Sequence, residues 1–84
     1  MKYSIAQAEM RGKMNEKIVV FIKNAILNKG IKYTFVSKNT GIEYQRLMRI
    51  FNQNAILSAS ELICLCKCLD IGIEQLIDLI DTKH

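Results

Sequence analysis

The 84 residues contain no proline, and their one histidine is the last residue, His84. Half of the residues are hydrophobic, so the composition is that of a compact helical chain rather than a disordered one. With no His/Cys/Asp constellation, no glycine-rich phosphate loop and no room for a cleft in so short a domain, an enzyme is not expected and no cofactor is implied. No apolar run reaches the roughly 18 residues of a membrane span. The N-terminus lacks the apolar centre of a signal peptide, and nothing argues against the cytoplasm.

Cysteine is scarce and oddly placed. Cys64, Cys66 and Cys68 fall in one run, ICLCKCLD. An odd number inside a helical pattern argues against a disulfide framework. Alternate spacing does not suit zinc, whose paired ligands normally leave two to four residues between them. On a helix Cys64 and Cys68 share a face and Cys66 points nearly opposite, so core packing is the expected role, with Cys66 on the core side.

Charge is present but uneven. Residues 1–59 carry ten Lys/Arg against three acids, and residues 60–84 carry two against five. The chain is therefore +7 over its first part and −3 over the rest, which points to a polyanionic partner on one side only.

With no proline, glycine supplies most of the punctuation. Residues 1–14 have weak periodicity and read as an arm or a loosely held extra helix. From Asn15 the spacing of Ile18, Ile22, Ala25 and Ile26 predicts a first helix that stops at Gly30, with Ile31 as the apolar anchor beyond it. Residues 32–40 make a two-turn helix, and Gly41 supplies a positive-φ cap. Ile42 enters the core, Glu43 favours the next helix start, and residues 44–52 form a third helix. On that helix Leu47, Ile50 and Phe51 share one side. Gln45, Met48, Arg49 and Asn52 share the other, flanked by Tyr44 and Arg46. Residues 53–59 read as a loop and Ser60 as the cap of a fourth helix lined by Leu62, Leu65, Cys66 and Leu69. A fifth helix over 73–81 has an apolar stripe of Ile73, Leu76, Ile77 and Ile80 and a wet one of Glu74, Asp78 and Asp81. One all-α domain of five helices over 15–81 is expected, with 82–84 as a tail.

A free helix bearing Gln and Arg four residues apart suits a major groove, which is about 12 Å wide. There Gln pairs bidentately with adenine and Arg with guanine. Lys32 and Tyr33 stand where the preceding helix would cross the DNA backbone. Gln and Arg are also ordinary solvated surface residues, so composition alone leaves both readings open.

The run GIKYTFVSKNTGIEYQRLMRIFN, residues 30–52, resembles the helix-turn-helix of the phage repressor and Cro family. The resemblance lies in a joint spacing: Gly30 with Ile31, the aliphatic–small pair Val36–Ser37, Gly41 with Ile42, then Leu47 and Arg49–Ile50. LCKCLDIGIEQLI, residues 65–77, is similar to the family's fourth and fifth helices. The resemblance covers residues 17–80 and implies a five-helix, lambda-repressor-like domain that binds a double-stranded DNA operator as a homodimer. By position it implies base readout by Tyr44, Gln45 and Arg49, and backbone contacts by Lys32, Tyr33, Arg46, Asn52 and Asn54. The crowded stripe Ile73, Leu76, Ile77, Leu79 and Ile80 is the expected dimer surface.

The chain also departs from the family. Tyr33 replaces a frequent Gln, and Phe35 stands where a charged residue is usual. Gln53–Asn54 replaces the glycine after the third helix, where Asn can still adopt a left-handed conformation. Ile26 and Phe51 occupy the places of a buried Arg–Glu pair, an exchange that is often neutral or stabilising. The leading reading is a small phage or mobile-element repressor or Cro-like regulator. The alternative is a helix-turn-helix fold used as a protein-interaction module, antirepressor- or antitoxin-like, which Phe35, Met48 and Tyr44 favour.

Overall fold

A computed structural model describes residues 5–80, with side chains described for 12–79. Five helices follow in order: α1 (Ile5–Lys29), α2 (Tyr33–Thr40), α3 (Tyr44–Gln53), α4 (Ala59–Leu69) and α5 (Ile73–Ile80). There is no strand among the described residues. The expected all-α, five-helix architecture is what the chain forms; the expected tail, 82–84, lies outside the described residues.

The first helix begins at Ile5, not at Asn15. Gly12 costs roughly 1 kcal/mol in a helix interior but does not stop it, and no residue from 5 to 29 adopts a positive φ. Residues 5–14 are thus continuous with the domain's first helix rather than a separate element. The buried positions on α1 are Asn15, Val19, Ile22 and Ile26, at helical spacing of four, three and four.

In place of proline, four helices end on a left-handed residue followed by an apolar one. Gly30, Gly41, Asn54 and Asp70 have φ of 67°, 79°, 52° and 58°. After them Ile31, Ala55 and Ile71 pack against the core, and Ile42 is buried in it. At three of these ends the apolar residue's N–H reaches back to close the last turn: Ile31 to the Ile26 carbonyl, Ala55 to Arg49, and Ile71 to Cys66. Asn and Asp tolerate this conformation because their short side chains can bond locally.

The start of α4 differs from expectation. Its cap is Ser58, not Ser60: Ser58 Oγ accepts from the Glu61 N–H, and the Glu61 carboxylate accepts from the Ser58 N–H. The spacing Ser-x-x-Glu is the capping-box pattern, which Ser60 cannot form with Glu61 as its neighbour.

The core joins α1 to Val36 of α2, Leu47, Ile50 and Phe51 of α3, and Leu65 and Leu69 of α4. Ile26 and Phe51, which stand where the resemblance implies an Arg–Glu pair, are both buried there. Cys68 is the cysteine packed against this core, whereas Cys66 lines a hollow between α4 and α5. Burial raises the thiol pKa of both.

Helix α5 packs on α1, and Leu76 is buried, only 4 % exposed. It is therefore unavailable to a second subunit, contrary to expectation. Leu79 is half-buried beside Val20 and Phe21 of α1. Ile73 and Ile77 remain exposed, and the Ile80 side chain lies outside the described residues.

Asn15 is a buried polar residue in the apolar stripe of α1 and all its hydrogen-bonding groups are used. Its amide donates to Asn54 Oδ1 at 2.7 Å and to the Ala55 carbonyl at 3.0 Å, and its Oδ1 accepts from the Leu57 N–H at 2.9 Å. Asn54 in turn donates to the Gly12 carbonyl. Asn15→Ala strands several of these groups and is expected to cost about 1–3 kcal/mol. In a domain of this size each kcal/mol lowers the melting temperature by roughly 4–8 °C. An unchanged melting curve for this variant would show that the joint contributes nothing.

Candidate nucleic-acid interface

The turn between α2 and α3 is built from side chains as well as backbone. Gly41 donates its N–H to the Ser37 carbonyl. The Ser37 hydroxyl donates to the Ile42 carbonyl at 2.6 Å, and the Thr40 hydroxyl accepts from the Ile42 N–H while donating to the Val36 carbonyl. Ile42 is thereby held at both its N–H and its carbonyl as it enters the core. The chain leaves this turn at a fixed angle, and α3 starts at Tyr44.

On α3, Leu47, Ile50 and Phe51 are buried, and Gln45, Arg49 and Asn52 are exposed. Tyr44 is exposed at the start of the helix. The side chains of Gln45 and Arg49, one turn apart, make no hydrogen bond or ion pair to another described residue. Met48, expected on the open face, is instead half-buried against the core. Among the described residues Asn52 makes one long contact, from its amide to the Met48 sulfur at 3.7 Å.

Of the residues expected at a DNA backbone, Lys32 is exposed at the N-cap of α2. Tyr33 follows it, half-buried, with its ring 5.1 Å from that of Phe51 and tilted by 38°. Arg46 and Asn54 are differently employed. The Arg46 guanidinium grips Glu61 of α4 through Nε–Oε2 at 2.7 Å and Nη2–Oε1 at 2.9 Å, and Nη2 also donates to the Ile56 carbonyl. The fork geometry of arginine suits such a bidentate carboxylate contact. Asn54 spends its side chain on Asn15 and Gly12. Both residues hold α3 in position through these bonds.

Two further positioning groups were missed in the sequence. Lys23 of α1 donates to the Phe51 carbonyl at 3.1 Å, placing a cation near the C-terminal end of α3, where the helix dipole favours it. Glu61 closes the capping box and holds Arg46 with the same carboxylate; its signal was the Ser58-x-x-Glu61 spacing. The hydrogen bond from Arg46 lowers the Glu61 pKa from its ordinary 4.5 to about 2, helped by Ser58 and opposed by partial burial. The same contact raises the Arg46 pKa.

An exposed polar helix set by a three-residue turn against a shorter helix is the arrangement of a helix-turn-helix. Residues 22–82 match the Cro/C1-type HTH DNA-binding domain. The chain belongs to this family, whose domains bind DNA. No curated protein and no solved structure matches it. Among the described residues no helix is long and apolar enough to cross a membrane.

The Glu61 pKa is depressed in the fold, so its contribution to stability is complete above the unfolded value near 4.5 and is lost as pH falls toward 2. Denaturant titrations at pH 7 and pH 3 are expected to differ by about 1–3 kcal/mol more in wild type than in Glu61→Gln. Arg46→Ala should lower stability by a similar amount while leaving the salt slope of DNA binding unchanged. A reduced slope with unchanged stability would return Arg46 to the phosphate backbone.

Proposed function

We propose that this chain is a small sequence-specific regulator that grips a double-stranded DNA operator with α3 and acts by occupying it, excluding polymerase as a phage or mobile-element repressor or Cro-like protein does. The observation that carries this reading is the division of α3. Gln45 and Arg49 stand exposed on one side, with no bond to another described residue, while Leu47, Ile50 and Phe51 anchor the other. With α3 in the major groove, Gln45 and Arg49 meet base edges, and Tyr44 meets a phosphate or a thymine methyl. Lys32, Tyr33 and Asn52 lie along the backbone. The Tyr33 ring, braced on Phe51, presents its hydroxyl from a fixed position.

Arg49→Ala is expected to cost about 1–3 kcal/mol on the cognate duplex and to relax specificity at one base pair. Its effect on folding should stay below about 0.5 kcal/mol. Lys32→Ala should weaken binding to cognate and scrambled duplexes alike and lower the salt slope by about one. Each duplex is titrated at two salt concentrations, with melting curves as the folding control. Wild-type affinity in Arg49→Ala, or its unfolding, would remove α3 as the reader.

The same reading includes a homodimer built on the outer edge of α5. Ile73 and Ile77 are 61 % and 51 % exposed, and Ile63 of α4 is 60 % exposed. The hollow lined by Ile63, Cys66, Ile71 and Ile73 links the two helices. A two-fold axis through this strip would set the two reading helices one DNA turn, about 34 Å, apart. Because Ile77 is exposed, Ile77→Asp should leave the fold intact, yield a monomer in sedimentation and shorten the footprint to one half-site. A wild-type monomer at high concentration that also covers a single half-site would rule the dimer out.

A further inference from the structure

Phe35 is unexplained by the reading of DNA through α3. It lies on α2, 48 % exposed, in a position where burial was available to its neighbour Val36. It is shared by two hollows. One, of about 510 Å³, runs along α2 to Tyr44 and is rimmed by Lys32 and Lys38. The other, of about 370 Å³, lies between α2 and α4 and is lined by Asn39, Lys67 and the thiols Cys64 and Cys68. Each has room for a large side chain. The surface is thus an aromatic ring with an open depression on either side and three lysines around it. No carboxylate lines either hollow.

This face adjoins the DNA-reading face at Lys32 and Tyr44 and extends away from it along α2 to α4. Gln45, Met48, Arg49 and Asn52 line neither hollow, and the second takes nothing from α3. A duplex also offers its outer surface as phosphate and sugar, which a half-exposed phenylalanine does not complement. A protein segment that carries both apolar side chains and carboxylates does. An exposed aromatic ringed by cations is the form of an interface anchor, where a ring fills the centre and charges at the rim select the partner.

We propose that the α2–α4 face is a docking site for an acidic, amphipathic helical segment of a partner protein. Its apolar side chains would seat beside Phe35, and its carboxylates would meet Lys38 and Lys67. Docking here does not require α3 to leave the major groove, so the partner and the duplex bind together. Phe35, Lys38 and Lys67 carry this inference; Lys32 and Tyr44, at the edge of the first hollow, are shared with the DNA reading, on which the inference does not depend.

The test uses the full chain and a fluorescein-labelled helical peptide of about 15 residues, long enough to hold helix when stapled. The peptide has Leu at i, i+4 and i+7 and Glu on the flanking positions; a counterpart has Lys in place of every Glu. Anisotropy titrations should show binding of the acidic peptide, and at least tenfold weaker binding of the basic one. Phe35→Ala and the double variant Lys38→Glu, Lys67→Glu should each weaken the acidic peptide at least tenfold. All these side chains are exposed, and melting curves confirm the fold of each variant. Amide shifts in the wild type should map to α2 and α4, and duplex at saturation should leave the peptide bound. Equal binding of both peptides, or full affinity in Phe35→Ala, overturns the proposal. So does displacement of the peptide by duplex, or a loss of DNA affinity in Phe35→Ala, either of which assigns the face to nucleic acid. Concentration-dependent self-association that Phe35→Ala abolishes overturns it too, because the occupant is then a second copy.

Discussion

The turn at Gly41 and Ile42 decides where the polar face of α3 points. A residue with a β-carbon would be strained at the φ of 79° that Gly41 adopts, and the chain must reverse there because Ile42, next in sequence, is buried. Two hydroxyls, Ser37 and Thr40, hold the peptide groups of Ile42 on either side of that side chain. If this corner loosened, the buried side of α3 would still find the core through Leu47 and Ile50, but its angle to α2 would no longer be set. The relation between Lys32 or Tyr33 on one helix and Gln45 or Arg49 on the other is a matter of that angle. A reader of base edges needs it held to a fraction of a groove width.

The far end of α3 is held by different means. Arg46 ties the helix to Glu61 and Ile56, Asn54 ties its C-cap to Asn15 and Gly12, and Lys23 meets the Phe51 carbonyl. Each is a polar contact made at the edge of the core, where partial burial strengthens it and a lost partner is costly. The consequence is a division of labour among like residues. Arg46 and Arg49 are three apart on one short helix, yet the first is engaged by a carboxylate and the second is left to solvent. Lys23 is spent at a helix end, whereas Lys32, Lys38 and Lys67 stand on the surface. The net positive charge of the first part of the chain is therefore not a uniform coat.

This division marks the limit of what could be read from the sequence. Helical periodicity and left-handed caps are local, so α2, α3, Gly41, Asn54 and the buried triad Leu47, Ile50 and Phe51 were legible. The role of Arg46 was not, because its partner Glu61 lies on another helix across a loop, and spacing within α3 cannot see it. The start of α4 was misread for a related reason: Ser58 and Ser60 are equal as isolated caps, and only the reciprocal bond with Glu61 separates them. Asn15 was taken as the start of a helix because the apolar spacing sharpens only after it. Its true position, four residues before Val19 on the buried stripe, makes it a polar group inside the core edge. Leu76 looked like part of an exposed stripe because α5 is apolar on more than one side, and which side α1 covers is a tertiary fact.

What α1 does not cover leaves two apolar surfaces of unlike surroundings. The strip of Ile63, Ile73 and Ile77 has Asp70 on the wall of its hollow and Glu74 and Asp78 on the same short helix, with Lys67 the cation of that hollow. The Phe35 face has three lysines and no acid in its lining. A symmetric dimer brings like surfaces together, so it is better served by the strip whose centre is aliphatic and whose acids can turn outward to water. Pairing two Phe35 faces would set Lys32, Lys38 and Lys67 of one copy against those of the other, at a cost that grows as salt falls. The charge pattern thus favours self-association at α5 and an acidic occupant at α2. It also means that raising the salt concentration should strengthen any dimer formed through Phe35 and weaken a complex with an acidic helix, so the two occupants of that face respond to salt with opposite sign.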